Sequence, residues 1–170
     1  MKPYLYILGV LLVGGGIGYF IGQRTGGAGV GVLPGSSDKI ESDDRVAIDS
    51  VLSRQREAFA LHDEVLLFRD CSANYVEINA STGESFNLSR AMIYHHELLK
   101  PGKTVNLLFG NLDVTFLQKA ALVRGTYSKT SDYYEQQGFT GLTGNVFWLL
   151  SKEGDRWHIE VSAWTEERKR

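Results

Sequence analysis

The chain has 170 residues, with 18 basic and 20 acidic side chains and a formal net charge of −2. This balance argues against a nucleic-acid-binding protein, which needs a basic face. The single cysteine, Cys71, excludes an intrachain disulfide framework.

An uncharged apolar run opens the chain. Residues 4–22 read YLYILGVLLVGGGIGYFIG, and a helix of this length spans about 28 Å, close to the hydrocarbon thickness of a bilayer. We therefore predict a single transmembrane anchor over residues 1–24. A cleaved signal peptide is the alternative, but the small residues that suit a cleavage site come late, around residues 26–29.

The charges around this run predict its orientation. Lys2 and the α-amino group precede the run, and Arg24 follows it. The excess of positive charge before the run favours a cytoplasmic N-terminus. We therefore expect a single-pass membrane protein whose C-terminal domain is periplasmic or extracellular.

A linker and one domain follow the anchor. Residues 25–41 are rich in glycine, which predicts a flexible linker. Residues 42–170 have the size of one domain. This domain is expected to begin with a helix that Ser42 caps, because Asp43 and Asp44 then lie in the first turn, where acidic residues suit the helix dipole.

Helices are predicted at the start of the domain and strands after them. The predicted helices are the opening one, a short one at 64–69, and a third that Asn87 or Ser89 caps and Pro101-Gly102 ends. The predicted strands are 73–79, 105–117 with a bulge at Gly110-Asn111, 120–130, 144–152 and 156–165. This order predicts an α+β fold, in which a curved antiparallel sheet is closed into a cone by about three N-terminal helices.

Several segments within residues 43–167 together form a recognisable pattern. They are Gln55 with Ala58-Phe59, His62-Asp63, the strand 72–79 with Gly83, the strand 120–127, and the hairpin 147–159. The pattern resembles the nuclear transport factor two-like, or SnoaL-like, superfamily. The resemblance implies the cone and, in enzymatic members, an acid–base group inside it. Because members include isomerases, dehydratases, cyclases, transport adaptors and secretion components, it implies no single function.

Glu77 is the candidate catalytic residue. In the alternating segment 75–79 it shares a face with Tyr75 and Asn79. If that face lines the cone, Glu77 is surrounded by apolar side chains and suited to transfer a proton. Tyr75 and Asn79 are then candidate ligand contacts. The alternative is that all three polar side chains face water.

Other polar side chains offer weaker candidates. Arg124 shares a strand face with Leu122 and Thr126 and could contact an anionic ligand, or simply be exposed. His95 and His96 are adjacent on the third predicted helix and point about 100° apart, which does not suit shared binding of one metal. We expect surface or capping roles for both. No metal or cofactor motif is evident, so neither is predicted.

The favoured function is a membrane-tethered, non-catalytic module that binds a small ligand or a protein through its cone or sheet face. The long anchor and the lack of an evident acid–base constellation motivate this hypothesis. One alternative is a small-molecule isomerase, dehydratase or cyclase that uses Glu77 as acid or base. The other is a structural component of a membrane assembly. A homodimer through the open sheet face is expected, because members of the resembled superfamily often pair in this way.

Overall fold

The computed structural model describes residues 36–100 and 105–169, all within one compact unit at residues 34–170. Among these described residues no helix is both long and apolar enough to cross a membrane. The predicted anchor at residues 1–24 and the linker up to residue 35 lie outside the described part of the chain, so both stay predictions.

The described helices are α1 (Ser36–Leu61), α2 (Glu64–Phe68), α3 (Leu88–Leu98) and α4 (Asp132–Gln136). Helix α1 begins before Ser42, so the predicted cap at Ser42 is wrong and the end of the predicted linker is helical. The reason is that no glycine or proline interrupts the helix after Ser36. Asn87, one of the two predicted caps, begins α3, and its Oδ1 accepts a hydrogen bond from the Arg90 backbone N–H at 3.0 Å.

The strands form one mixed sheet. They are β1 (Cys71–Asn79), β2 (Glu84–Asn87), β3 (Val105–Leu117), β4 (Ala120–Ser131), β5 (Gly141–Glu153), β6 (Arg156–Trp164) and β7 (Glu167–Lys169). The strand order is β2-β1-β6-β5-β4-β3, and the short β7 pairs with the start of β5. The sheet is curved and unclosed, and helices pack on one of its faces, so the α+β prediction is confirmed.

The direction of one strand pair differs from the prediction. Strands β1 and β6 run parallel, with Glu77 beside Ser162, whereas the other pairs are antiparallel. The prediction of a fully antiparallel sheet is therefore wrong for the pair of β1 and β6. Short hairpins fix the direction only of strands that follow each other in the chain, and β1 is separated from β6 by α3 and three long strands.

The sheet bends where β3 and β4 change register, between Gly110 and Asp113. Asn111 has a φ of 53° there, a left-handed conformation that asparagine tolerates better than most residues. On the facing strand, a Cβ added to Gly125 would lie 2.6 Å from Leu112 Cδ2. The predicted bulge at Gly110-Asn111 is confirmed, and it increases the local twist and bend of β3.

The core lies between helix α1 and the face of the sheet that the helices cover. Its largest fully buried side chains are those of Ile48, Leu52, Val123, Leu150 and Ile159. One polar contact joins the same layers: Lys152 Nζ lies 2.5 Å from Asp44 Oδ1, to which Trp157 Nε1 also donates at 3.1 Å. Asp44 therefore attaches helix α1 to the β5–β6 hairpin.

Candidate active site

The inner face of β1 carries the three polar side chains that the sequence places together. Tyr75, Glu77 and Asn79 are 4%, 3% and 8% exposed. Val76 and Ile78 alternate with them, point to the other face and are half-buried. The alternative in which the polar face meets water is therefore wrong, because β1 lies between β2 and β6 and packs under helix α3.

Glu77 is hydrogen-bonded on both carboxylate oxygens. Tyr75 Oη donates to Oε2 at 3.0 Å, and His95 Nε2 lies 2.7 Å from Oε1. His95 reaches the carboxylate because it lies one turn from the buried Ala91 on the inner face of α3. The expected surface or capping role of His95 is therefore wrong, whereas His96 is exposed and contacts Glu64.

The imidazole of His95 is surrounded by aromatic rings. Phe59, Phe68 and Tyr94 meet it edge to face, with ring centroids 5.6, 5.8 and 5.1 Å away. Its Nδ1 is buried and has no hydrogen-bond partner among the described residues. When Glu77 is ionised, the geometry places the hydrogen on Nε2, where it is donated to the carboxylate.

The Glu77 side chain lines a small, partly open cavity. The cavity has a volume of about 80 Å³. The polar lining residues are Gln55, Tyr75, Glu77, His95, Tyr127, Lys129 and Ser162. The apolar lining residues are Phe59, Leu67, Phe68, Leu107, Phe109, Val146, Trp148 and Trp164. This volume suits a ligand of a few non-hydrogen atoms and falls below that of drug-sized pockets, at about 300–1,000 Å³.

Lys129 adds a second ionisable group to the cavity. It is 7% exposed, and its Nζ lies over the rings of Phe59 and Tyr134, at 5.8 and 6.0 Å from their centroids. Among the described residues it has no carboxylate within ion-pair distance. Burial lowers the pKa of Lys129, while the carboxylates of Glu166 and Glu77 act in the opposite direction.

The tyrosines and the cysteine near Glu77 stay protonated. Burial, and then the Glu77 carboxylate, raises the pKa of Tyr75 well above its usual value. Burial likewise raises the pKa of Tyr127, whose Oη donates to the Thr165 carbonyl at 3.0 Å. Burial also raises the pKa of the Cys71 thiol. Tyr75 therefore serves as a hydrogen-bond donor, and Cys71 is not a thiolate nucleophile.

Two of the predicted ligand contacts lie away from the cavity. Arg124 is exposed on the opposite face of the sheet, where its Nη2 lies 2.7 Å from Asp113 Oδ2. It is one residue out of phase with the buried Val123. Asn79 is buried but closes the turn after β1, since its Oδ1 accepts from the backbone N–H groups of Ser81 and Thr82.

Glu77 and Tyr75 are predictable from the sequence, whereas His95 and Lys129 are not among the predicted site residues. Each missed residue carries a periodicity signal. Lys129 alternates in phase with Tyr127 on β4, and His95 shares a helix face with Ala91. Within the described residues, no cluster of three or more His, Cys, Asp or Glu side chains could hold a metal ion.

Comparisons with known proteins identify the fold. No family model and no curated protein matches the chain. A solved nuclear transport factor two-like protein from Cytophaga hutchinsonii is similar, with a TM-score of 0.61 and 12% identity, over 72% of this chain and 98% of that chain. A proposed scytalone dehydratase from Novosphingobium aromaticivorans gives 0.65 and 11%, over 77% and 88%.

A third similar structure is a proposed dehydratase of the nuclear transport factor two-like family from Streptomyces avermitilis. Its TM-score is 0.63 at 11% identity, over 75% of this chain and 98% of that chain. At such identities the likeness shows the fold alone. The resemblance inferred from the sequence is therefore confirmed as a nuclear transport factor two-like fold.

Proposed function

We propose that the domain is a small-molecule lyase or isomerase that moves a proton to and from carbon inside the cavity. The observation that carries this proposal is the buried set of Tyr75, Glu77 and His95, hydrogen-bonded to one another beside an otherwise largely apolar space. A carboxylate held in position by hydrogen bonds is one of the groups that act as general acids and bases in enzymes.

Each member of this set has a distinct role in the proposed reaction. Glu77 is the base: its two bonds use one lone pair on each oxygen and leave others free to accept a proton from carbon. Tyr75 and His95 hold the carboxylate in one orientation and stabilise its charge. Once protonated, Glu77 returns the proton in an isomerisation or delivers it to a leaving hydroxyl in a dehydration.

The buried contact between Glu77 and His95 changes which of the functional hypotheses drawn from the sequence is favoured. The sequence alone favours a non-catalytic module because it shows no acid–base constellation, and His95 supplies the missing member. Two of the similar structures described above are proposed dehydratases, which agrees with lyase chemistry. The non-catalytic module and the structural component remain the outcomes to be tested against.

The test is exchange of carbon-bound hydrogen in D₂O, followed by NMR over a panel of short ketones and hydroxyketones. We expect the protein to accelerate exchange or elimination for part of the panel. Glu77→Gln should abolish the effect, since the amide keeps the shape but cannot accept the proton. Asp113→Asn, which neutralises an exposed carboxylate on the opposite sheet face, is the matched control and should keep it.

The opposite outcome is equally clear. A compound could raise the melting temperature of the unmodified protein and of Glu77→Gln, while neither protein exchanges its hydrogens or converts it. The domain would then bind the compound without catalysis. If no compound does either, the cavity is structural and the assembly-component hypothesis gains.

We also propose that residues 4–22 anchor this domain to a membrane, with the N-terminus cytoplasmic and the domain periplasmic or extracellular. The support is the uncharged length of the run and the charges around it. Alkaline carbonate extraction should leave the full-length protein in the membrane pellet. Release of a species lacking about the first 25 residues would show a cleaved signal peptide instead.

A further inference from the structure

Lys129 differs from the other lysines whose side chains the structure describes. Lys152 is paired with Asp44 at 2.5 Å, and Lys100 is paired with Glu97 at 2.6 Å. Lys129 is the one that is buried, lines a cavity and lacks an ion-pair partner among the described residues. Burial without a carboxylate partner is unfavourable for an ammonium group, and the rings of Phe59 and Tyr134 offset this only in part. The position therefore calls for a reason beyond packing.

We propose that Lys129 is a carbonyl-reactive amine, which forms an imine with a small aldehyde or ketone bound in the cavity. The geometry supplies the two conditions for such a group: an amine held among apolar and aromatic side chains, and an adjacent space for a ligand. The proposal goes beyond acid–base catalysis by Glu77, although both use the same cavity.

The surroundings of Lys129 favour a nucleophilic amine. Only the neutral amine attacks a carbonyl, and each unit by which its pKa falls raises the neutral fraction at neutral pH about tenfold. Burial acts in that direction, while the carboxylates of Glu166 and Glu77 oppose it from a distance. Desolvation of this kind is a known way to activate a catalytic lysine.

The same charges select the class of ligand. An anionic ligand would approach Lys129 in the field of two carboxylates, Glu166 and Glu77, which would repel it. A neutral carbonyl compound meets no such repulsion, and its short apolar part suits the aromatic walls. The cavity of about 80 Å³ limits the ligand to a few non-hydrogen atoms.

The step balances without a further reactant. The nitrogen lone pair of Lys129 forms a bond to the carbonyl carbon, and the C=O π bond breaks to give a carbinolamine after a proton passes from nitrogen to oxygen. The C–O bond then breaks and water leaves with the second amine proton, which gives the C=N double bond. The imine, once protonated, withdraws electrons from the neighbouring carbon and so acidifies its hydrogens, the atoms on which Glu77 would act.

The test traps this imine in the full-length protein. We would add acetone with cyanoborohydride at pH 7, so that hydride adds to the imine carbon and leaves an isopropylamine, and read each lysine by peptide mass spectrometry. Lys129 should be labelled faster than the exposed Lys119, because burial lowers its pKa and so raises the fraction of neutral amine. Unfolding in urea should equalise the two rates, and Lys129→Met should remove only the fast label.

The outcome is separable from that of the proposed function. Glu77→Gln should abolish acid–base catalysis. It also removes a carboxylate that favours the ammonium form of Lys129, so Lys129 in this variant should be labelled at least as fast as in the unmodified protein. Labelling of Lys129 no faster than that of Lys119 would overturn the proposal. So would a preference for Lys129 that persists in urea, because it would not depend on the cavity.

Discussion

Tyr75 and Tyr127 are two buried phenols that donate to different acceptors. Tyr75 donates to the Glu77 carboxylate and Tyr127 to the Thr165 carbonyl, both at 3.0 Å. A hydrogen bond to a charged group contributes about 1.5–3 kcal/mol, against about 0.5–1.5 for a neutral pair. Tyr75→Phe should therefore lower the free energy of unfolding more than Tyr127→Phe, as measured by urea denaturation. Equal losses would mean that the hydrogen bond from Tyr75 contributes no more than one between neutral groups.

The lowered pKa of Lys129 predicts a stability that depends on pH. Unfolded lysine titrates near about 10.4, so between the lowered folded pKa and that value the unfolded chain binds more protons. The cost of burying Lys129 is fully present at pH values below its folded pKa and disappears as the pH rises towards about 10.4. Lys129→Met should therefore raise the free energy of unfolding at pH 7, and the gain should shrink by pH 10.

The matched control for this experiment is Lys152→Met. Its ammonium is paired with Asp44, so removing it should lower stability at pH 7. Urea unfolding followed by tryptophan fluorescence at both pH values measures all three proteins. If Lys129→Met instead lost the same amount of stability at pH 7 as at pH 10, the lowered pKa of Lys129 would be contradicted.

The site residues were predictable to different degrees, for physical reasons. Strand alternation identified Glu77 and Tyr75, because a period of two sorts side chains between faces. It did not show which face is inner, and only the tertiary structure decides that. His95 was missed because its partner lies 18 residues away on another element. Lys129 was missed because a lysine in phase with apolar residues is ordinarily taken as solvent-facing.

At the scale of elements, the contact of Asp44 with Lys152 and Trp157 attaches helix α1 to the sheet. Asp44→Ala would leave a half-buried ammonium and an indole N–H without their acceptor. We expect a loss of about 2–3 kcal/mol in the free energy of unfolding. Asp113→Ala, which breaks the exposed pair with Arg124, should cost no more than about 1 kcal/mol. Similar small losses would show that α1 is held by apolar packing alone.

The elements themselves were largely predictable, and their pairing was not. Helix caps and turns are local, so Asn87 and the Gly110-Asn111 bulge were found from the sequence. The parallel pair of β1 and β6 joins residues 85 or more positions apart in the sequence, such as Glu77 and Ser162, and no local pattern encodes such a contact. The early start of α1 was missed because the glycine-rich composition before it masked the helix-compatible residues after Ser36.

At the scale of the whole molecule, the outer face of the sheet, which is the face away from the helices, carries a row of apolar side chains. A cross-strand row runs over β4, β5, β6 and β1, in the order Leu122, Leu149, Val161 and Val76. All four side chains are half-buried, and they lie on the face opposite to the one that the described helices cover. An apolar strip of this kind is typical of a protein interface.

We therefore expect residues 34–170, the compact unit, to form a homodimer in which two outer sheet faces pack together. Leu149→Lys places a charge in the centre of the row and should shift sedimentation at tens of micromolar towards the monomer, because an unpaired charge is costly to bury. Ile93→Lys, a change at a residue 72% exposed on helix α3, should leave the dimer intact. A monomer in the unmodified fragment would reject the sheet-face dimer, and equal dissociation by both variants would place the interface elsewhere.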